Sequence, residues 1–146
     1  MNDWQQRFAQ KLEGVRNAAQ DQFEGLTHEH ILPAYEEMEA FTEGQGLHPD
    51  ALCDLPGNRS FRFAATEGTY VLCHFRSFGL EECEASAEFC VPCPDKPAAI
   101  HQRVRMANLD AEWARAFFQQ ALDGFADALL RSMNERAEHN LEPAEA

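Results

Sequence analysis

The sequence predicts an α+β fold: a long N-terminal helix kinked near Pro33, a four-stranded antiparallel meander and a long C-terminal helix, with both helices packed on one face of the sheet. Three observations carry this. Apolar residues recur every three or four positions in both flanks, they alternate with polar residues in the middle, and each pattern leaves one face apolar. One-sided elements of this kind close as two layers around a shared core. The 146 residues suit one domain, helical over 1–46, sheet over 59–109 and helical over 110–137, with a frayed acidic tail over 138–146.

The N-terminal helix rests on the stripe Trp4, Phe8, Leu12, Val15, Ala19, Phe23 and Leu26. After a step of five the stripe resumes at Ile31, Tyr35, Met38 and Phe41 or Thr42. The step falls next to Pro33, whose ring removes an amide donor and is expected to kink or divide the helix. Thr27 is a candidate cap for the second part, and Gly44 or Gly46 a candidate left-handed residue to end it. The stretch LHPDALCDLPGN, 47–58, reads as a loop.

Four runs then alternate: Phe61, Phe63 and Ala65; Val71, Cys73 and Phe75; Cys83, Ala85, Ala87 and Phe89; and Ile100, Val104 and Met106, with Gln102 between them. Three-residue turns at Glu67-Gly68-Thr69 and Gly79-Leu80-Glu81 set Phe61 opposite Phe75, Phe63 opposite Cys73, Phe75 opposite Ala85 and Val71 opposite Phe89. Pairing Phe89 with Ile100 sets Ala85 opposite Val104. On the other face Glu84 then lies between Arg76 and Arg105, Glu88 faces His101, and Arg62 neighbours His74.

The C-terminal helix rests on Trp113, Phe117, Leu122 (or Ala121), Phe125, Leu129 and Met133, with Asp110 as its cap. Some 30 helical residues run about 45 Å, whereas four strands span about 20 Å. The overhanging apolar stripe therefore needs the other helix or a second subunit, and a homodimer is expected.

The net charge is −13, unevenly spread. Residues 1–58 carry 11 acids and 3 bases, 59–109 carry 6 of each, and 110–146 carry 8 acids and 3 bases. No Lys or Arg stands between Arg16 and Arg59. Such a surface repels phosphate backbones and anionic lipid, which argues against direct nucleic-acid binding and leaves a basic protein partner compatible. The polar start has no apolar run behind a basic end, and no apolar run approaches the length of a membrane span. Five cysteines, an odd count, fit reduced thiols and a cytoplasmic location.

For chemistry, the stretch EFCVPCPDKP at 88–97 holds a C-x-x-C pair, Cys90 and Cys93. A zinc site would need two more ligands, and His101 and Cys53 are the candidates, with His48 further off. As a redox pair they lack the helix N-terminus that lowers a thiol pKa. Cys73 and Cys83 fall on the apolar face and read as small hydrophobes. His28, Glu36, Glu39 and Glu43 share a helical stripe with Leu32 but form no Glu-x-x-His motif, so they read as a solvated face. The outer sheet face carries His74, His101, Arg76, Arg103 and Arg105 among Glu82, Glu84 and Glu88, with Tyr70, Leu72 and Phe78 beside them. Apolar side chains among charges suit a contact surface. No nucleophile elbow or phosphate-cradling glycine loop occurs.

In layout alone the helix–meander–helix order resembles small bacterial nucleoid-associated dimers and acidic class I secretion chaperones. The missing basic surface departs from the first, the single meander from the second, and no motif carries residues across. The expected function is that of a non-enzymatic acidic protein that binds another protein as an adaptor, chaperone-like factor or inhibitor. A zinc-binding protein using Cys90 and Cys93 is the alternative. The third reading is a small-ligand binder or enzyme with a pocket walled by Phe61, Phe75, Tyr35 and Trp113.

Overall fold

The computed structural model describes residues 2–92 and 99–141, the last four as backbone only. Its elements are α1 (Asp3–Leu26), a π turn (Thr27–Ile31), α2 (Leu32–Gly44), β1 (His48–Cys53), β2 (Asn58–Thr66), β3 (Thr69–Phe78), β4 (Glu82–Cys90), β5 (Ala99–Arg105), a 3₁₀ turn (Met106–Asn108) and α3 (Ala111–Leu141). The fold is α+β, with a five-stranded antiparallel sheet in the order β1-β2-β3-β4-β5.

A capping box starts α1: the Asn2 side chain accepts from the Gln5 amide, and the Gln5 side chain accepts from the Asn2 amide. The step of five in the apolar stripe is absorbed by the π turn, where the Leu32 amide donates to the Thr27 carbonyl five residues back. The chain therefore stays helical from Asp3 to Gly44. Pro33 does not divide it, because it lies in the first turn of α2, directly after the widened turn. Thr27 thus does not cap the second part; it ends α1 as a fully buried member of the turn. At the end of α2, the Leu47 amide donates to Thr42 and the Gly46 amide to Glu43. This Schellman arrangement requires φ near +87° at Gly46, where a Cβ would be strained. Thr42, not Phe41, takes the inner position, and its hydroxyl donates to the Met38 carbonyl at 2.7 Å.

β1 lies within the stretch 47–58 whose sequence suggests a loop. Pro49 hides the strand, yet proline is compatible with an edge position, and β1 is the sheet edge beside β2. Pairing of β3 with β4 is as expected, with Phe75 opposite Ala85 and Val71 opposite Phe89. The other two registers differ by two residues. Phe61 lies opposite Cys73 and Phe63 opposite Val71, because the turn holds only Glu67 and Gly68 and a bulge follows Ala64. A two-residue turn alone would put Phe61 opposite an outward residue; the bulge restores parity and keeps both phenylalanines inside. On the far side Cys83 pairs with Val104, Ala85 with Gln102 and Ala87 with Ile100. Both slips are even, so outside the bulge at 64–66 the residues keep their expected faces while their partners change.

The helices cover one face of the sheet. The core joins Phe23, Ile31, Tyr35 and Met38 to Phe61, Phe63, Val71, Cys73, Phe75, Cys83, Ala85 and Ala87, and to Phe117, Phe118, Ala121 and Phe125 of α3. Tyr35 stacks on Phe61 at 4.4 Å between ring centroids, Phe61 meets Phe75 edge-on at 6.0 Å, and Phe75 meets Trp113 at 6.2 Å. The four residues expected to wall a pocket pack on one another instead, and Phe118 fills the remaining space between Tyr35 and Phe75. The Asp110 carboxylate caps α3 by accepting from the Trp113 amide at 2.8 Å, as its sequence position suggested. The helix runs on to Leu141, past the expected end at 137, and residues 142–146 of the tail lie outside the described residues.

Two contacts lock helices to sheet. The Glu24 carboxylate accepts from Arg59 Nη2 at 2.6 Å and from the Gly57 amide at 2.9 Å, pinning α1 to the start of β2. Gly124 of α3 lets the Phe89 ring approach so closely that a Cβ there would stand 2.6 Å from Phe89 Cζ.

Candidate functional site

The helices pack against the inner residues of the strands, so no described helix lies over the opposite face of the sheet. Its residues follow from strand alternation: Arg62 on β2, Tyr70, Leu72, His74, Arg76 and Phe78 on β3, Glu82, Glu84, Ser86 and Glu88 on β4, and His101, Arg103 and Arg105 on β5.

Glu84 is the hub of this face. Its side chain is 12% exposed, and its carboxylate accepts from Arg76 Nη2 at 2.7 Å, Arg76 Nε at 3.1 Å and Arg103 Nε at 3.4 Å. His101 Nε2 lies 3.2 Å from the same group. Partial burial raises the Glu84 carboxyl pKa, but the hydrogen bonds from His101 and Arg76 outweigh it and hold the group below the usual carboxylate range. The ionised hub holds two guanidinium groups over an aromatic ring. The Arg103 guanidinium carbon is 4.0 Å from the Phe78 centroid and that of Arg76 is 5.6 Å away. Arg62, paired with Asp50 at 3.3 Å, stacks 5.7 Å from the Tyr70 centroid.

The two-residue slip changes the expected pairs. Arg103, not Arg105, faces Glu84, while Arg105 lies opposite Glu82. Glu88 lies opposite Ala99, and His101 opposite Ser86. Arg62 lies opposite Leu72, and His74 is bonded instead to Ser60, with Oγ 2.6 Å from Nδ1. Burial and the Arg76 charge lower the His74 pKa, against the pull of Glu88 and Glu84. Ser60 is itself buried, so the pair reads as a sheet hydrogen bond rather than an exposed nucleophile with its base.

The metal candidates are spread out. Cys93 lies outside the described residues. Cys90, at the end of β4, is exposed and its thiol donates to the Gly68 carbonyl. His101 lies opposite Ser86, four residues back along β4, about 13 Å away. Cys53 lies on β1 at the opposite edge, with β2 and β3 between it and β4. Among the described residues no three His, Cys, Asp or Glu side chains converge as a metal site. Burial pushes the Cys83 thiol up to about 12 and raises Cys73 further, so both stay protonated.

Two further features were not foreseen. Where α1 passes the end of the sheet, Leu12, Arg16, Gln20, Pro56, Gly57, Arg76 and Leu80 bound an open cleft of about 560 Å³. Between α2 and α3, Met38, Phe41 and Leu122 floor a groove of about 450 Å³ with Glu37, Gln119 and Asp123 at its rim. On the stripe read as a solvated face, His28, Glu36 and Glu43 are exposed, whereas Leu32 and Glu39 are half-buried. No described helix is long and apolar enough to cross a membrane. Comparison with protein-family models, curated proteins and solved structures finds no match to this chain.

Proposed function

We propose that this chain is a non-enzymatic, protein-binding protein that acts as a homodimer and presents the uncovered sheet face to a protein partner in an adaptor, chaperone-like or inhibitory role. The observation that carries it is the set Tyr70, Leu72 and Phe78 on a face over which no described helix lies, with Arg62, Arg76 and Arg103 laid across the rings. Tyr, Phe and Arg are residue types enriched where partners dock, and Glu84 keeps the guanidinium groups ordered before binding, which lowers the entropy lost on contact. Arg105 extends the surface along β5.

The face itself is nearly balanced in charge, with Arg62, Arg76, Arg103 and Arg105 beside Glu82, Glu84, Glu88 and Asp50. The excess of acid lies in the helical flanks, where it steers a partner of basic overall charge toward the molecule rather than gripping it. Affinity capture at about 0.05 M and about 0.5 M salt tests this, since steering by exposed charge is screened within a few ångströms at high salt. A partner recovered at low salt and depleted at high salt supports the reading; recovery of none contradicts it.

A further inference from the structure

The N-terminal half of α1 leaves most of its apolar stripe exposed. Trp4 is 62% exposed, Phe8 58% and Val15 47%, and they share one helical stripe with half-exposed Leu12, which also lines the cleft against Pro56 and Leu80. At 100° per residue, Arg7 and Lys11 flank this stripe on one side and Arg16 on the other, while Asp3 and Glu13 fall on the opposite face. These three are all the Lys and Arg of residues 1–58. The arm is thus an apolar strip with basic edges on an acidic protein.

The groove between α2 and α3 has the complementary character. Phe41 is 60% exposed over Met38 and Leu122, and Glu37 and Asp123 stand at the rim. Glu37 also meets Arg115 at 3.2 Å, a solvent-exposed pair that competes weakly. The apolar strip continues along α3 to Leu130, 60% exposed, and Met133, 58% exposed. From Leu122 to Met133 the axial run is about 16 Å, the same as from Trp4 to Val15.

We propose that the arm of one copy, Trp4 to Val15, docks in the α2–α3 groove of a second copy, and that the exchange is reciprocal. The arm does not reach the groove of its own chain, because continuous helix separates Phe8 from Phe41 by about 50 Å. Arm-to-arm pairing is disfavoured: antiparallel, it sets Arg7 and Lys11 against the same residues of the other copy, and parallel, it sets them against Arg16. Arm-to-groove docking instead brings these cations to Glu37 and Asp123. Two reciprocal contacts close a two-fold dimer and leave no open end.

This rests on the homodimeric reading above and assigns its interface. The test is light scattering on the full chain, with Phe8→Asp, Phe41→Asp, Lys11→Glu, Asp123→Lys and the Lys11→Glu/Asp123→Lys double variant. The inference expects the wild type at twice the 16.5 kDa chain mass. Each aspartate variant keeps its helical circular-dichroism spectrum and dissociates with a Kd raised about 100-fold, as for an interface anchor. Each single charge reversal weakens the dimer, and the double variant recovers it. A wild-type monomer at micromolar concentration overturns both this inference and the homodimer. A wild-type dimer that persists with both aspartate variants, or that the double reversal does not restore, overturns the arm–groove assignment alone.

Discussion

Replacing Glu24 with Gln tests the pin between α1 and the sheet. The carboxylate is 24% exposed and its partner Arg59 11%, so the pair is largely shielded from water. The change removes the charge that Arg59 Nη2 meets at 2.6 Å and weakens the bond from the Gly57 amide, leaving a largely shielded guanidinium without this counter-charge. Exposed pairs contribute about 0–1 kcal/mol, and breaking a fully buried one costs about 3–5 kcal/mol. This pair lies between, so the expected loss is about 2 kcal/mol, or a fall in Tm of roughly 4–8 °C for a chain of this size. The pH dependence adds a sign. Burial raises the Glu24 pKa, but the Gly57 and Arg59 bonds outweigh it and hold the carboxyl below its ordinary 4.5. Its contribution is present above pH 4.5 and is lost as the pH falls through the folded value. Urea unfolding of wild type and Glu24→Gln at pH 7 and down to pH 3 should show a gap that narrows with acid. A gap under about 0.5 kcal/mol at pH 7, no more than an ordinary surface substitution gives, would refute the reasoning.

Other expectations follow from single sites. Gly124→Ala gains helix propensity but drives a Cβ to within 2.6 Å of Phe89, so it should destabilise the wild type by about 1 kcal/mol and stabilise a Phe89→Ala background by a similar amount. Equal effects in the two backgrounds would show that the ring does not set the requirement. The Thr27 hydroxyl is buried with no hydrogen-bond partner among the described residues, so Thr27→Val should raise stability by about 1 kcal/mol in thermal unfolding, and a loss would mean the hydroxyl is satisfied. At pH 8, iodoacetamide should modify exposed Cys90 in the native protein and reach Cys73 and Cys83 only in denaturant, as read by peptide mass mapping. Native labelling of Cys73 would contradict its burial.

The sequence was most legible where one face is buried. Alternation identified β2 to β5 and their inner residues because a wrong face costs several buried phenylalanines at once. It did not resolve even slips, since shifting Phe61 from Phe75 to Cys73 keeps every side chain on its face. That ambiguity propagated to the candidate site, where Arg103 replaced Arg105 beside Glu84 and the stacking of Arg103 on Phe78 went unseen. The β1 edge was missed because Pro49 and Asp50 signal a turn, and edge pairing with β2 overrides that local preference. The step of five was read correctly as a fault in the helix but assigned to Pro33; a π turn accommodates the same extra residue without breaking the chain of hydrogen bonds. The overhang of α1 was legible from length alone, whereas the acidic groove awaited the pairing of α2 with α3, which no local pattern encodes.

Docking of a protein partner on the outer sheet face is decided by a paired affinity capture. Wild type and a Phe78→Ala/Arg103→Ala variant, shown to share the same circular-dichroism spectrum, are compared as baits at low salt. A partner retained by the wild type is expected to be lost from the variant, because the substitutions remove the stacked ring and guanidinium from that face. The same partner retained equally by both baits would contradict it.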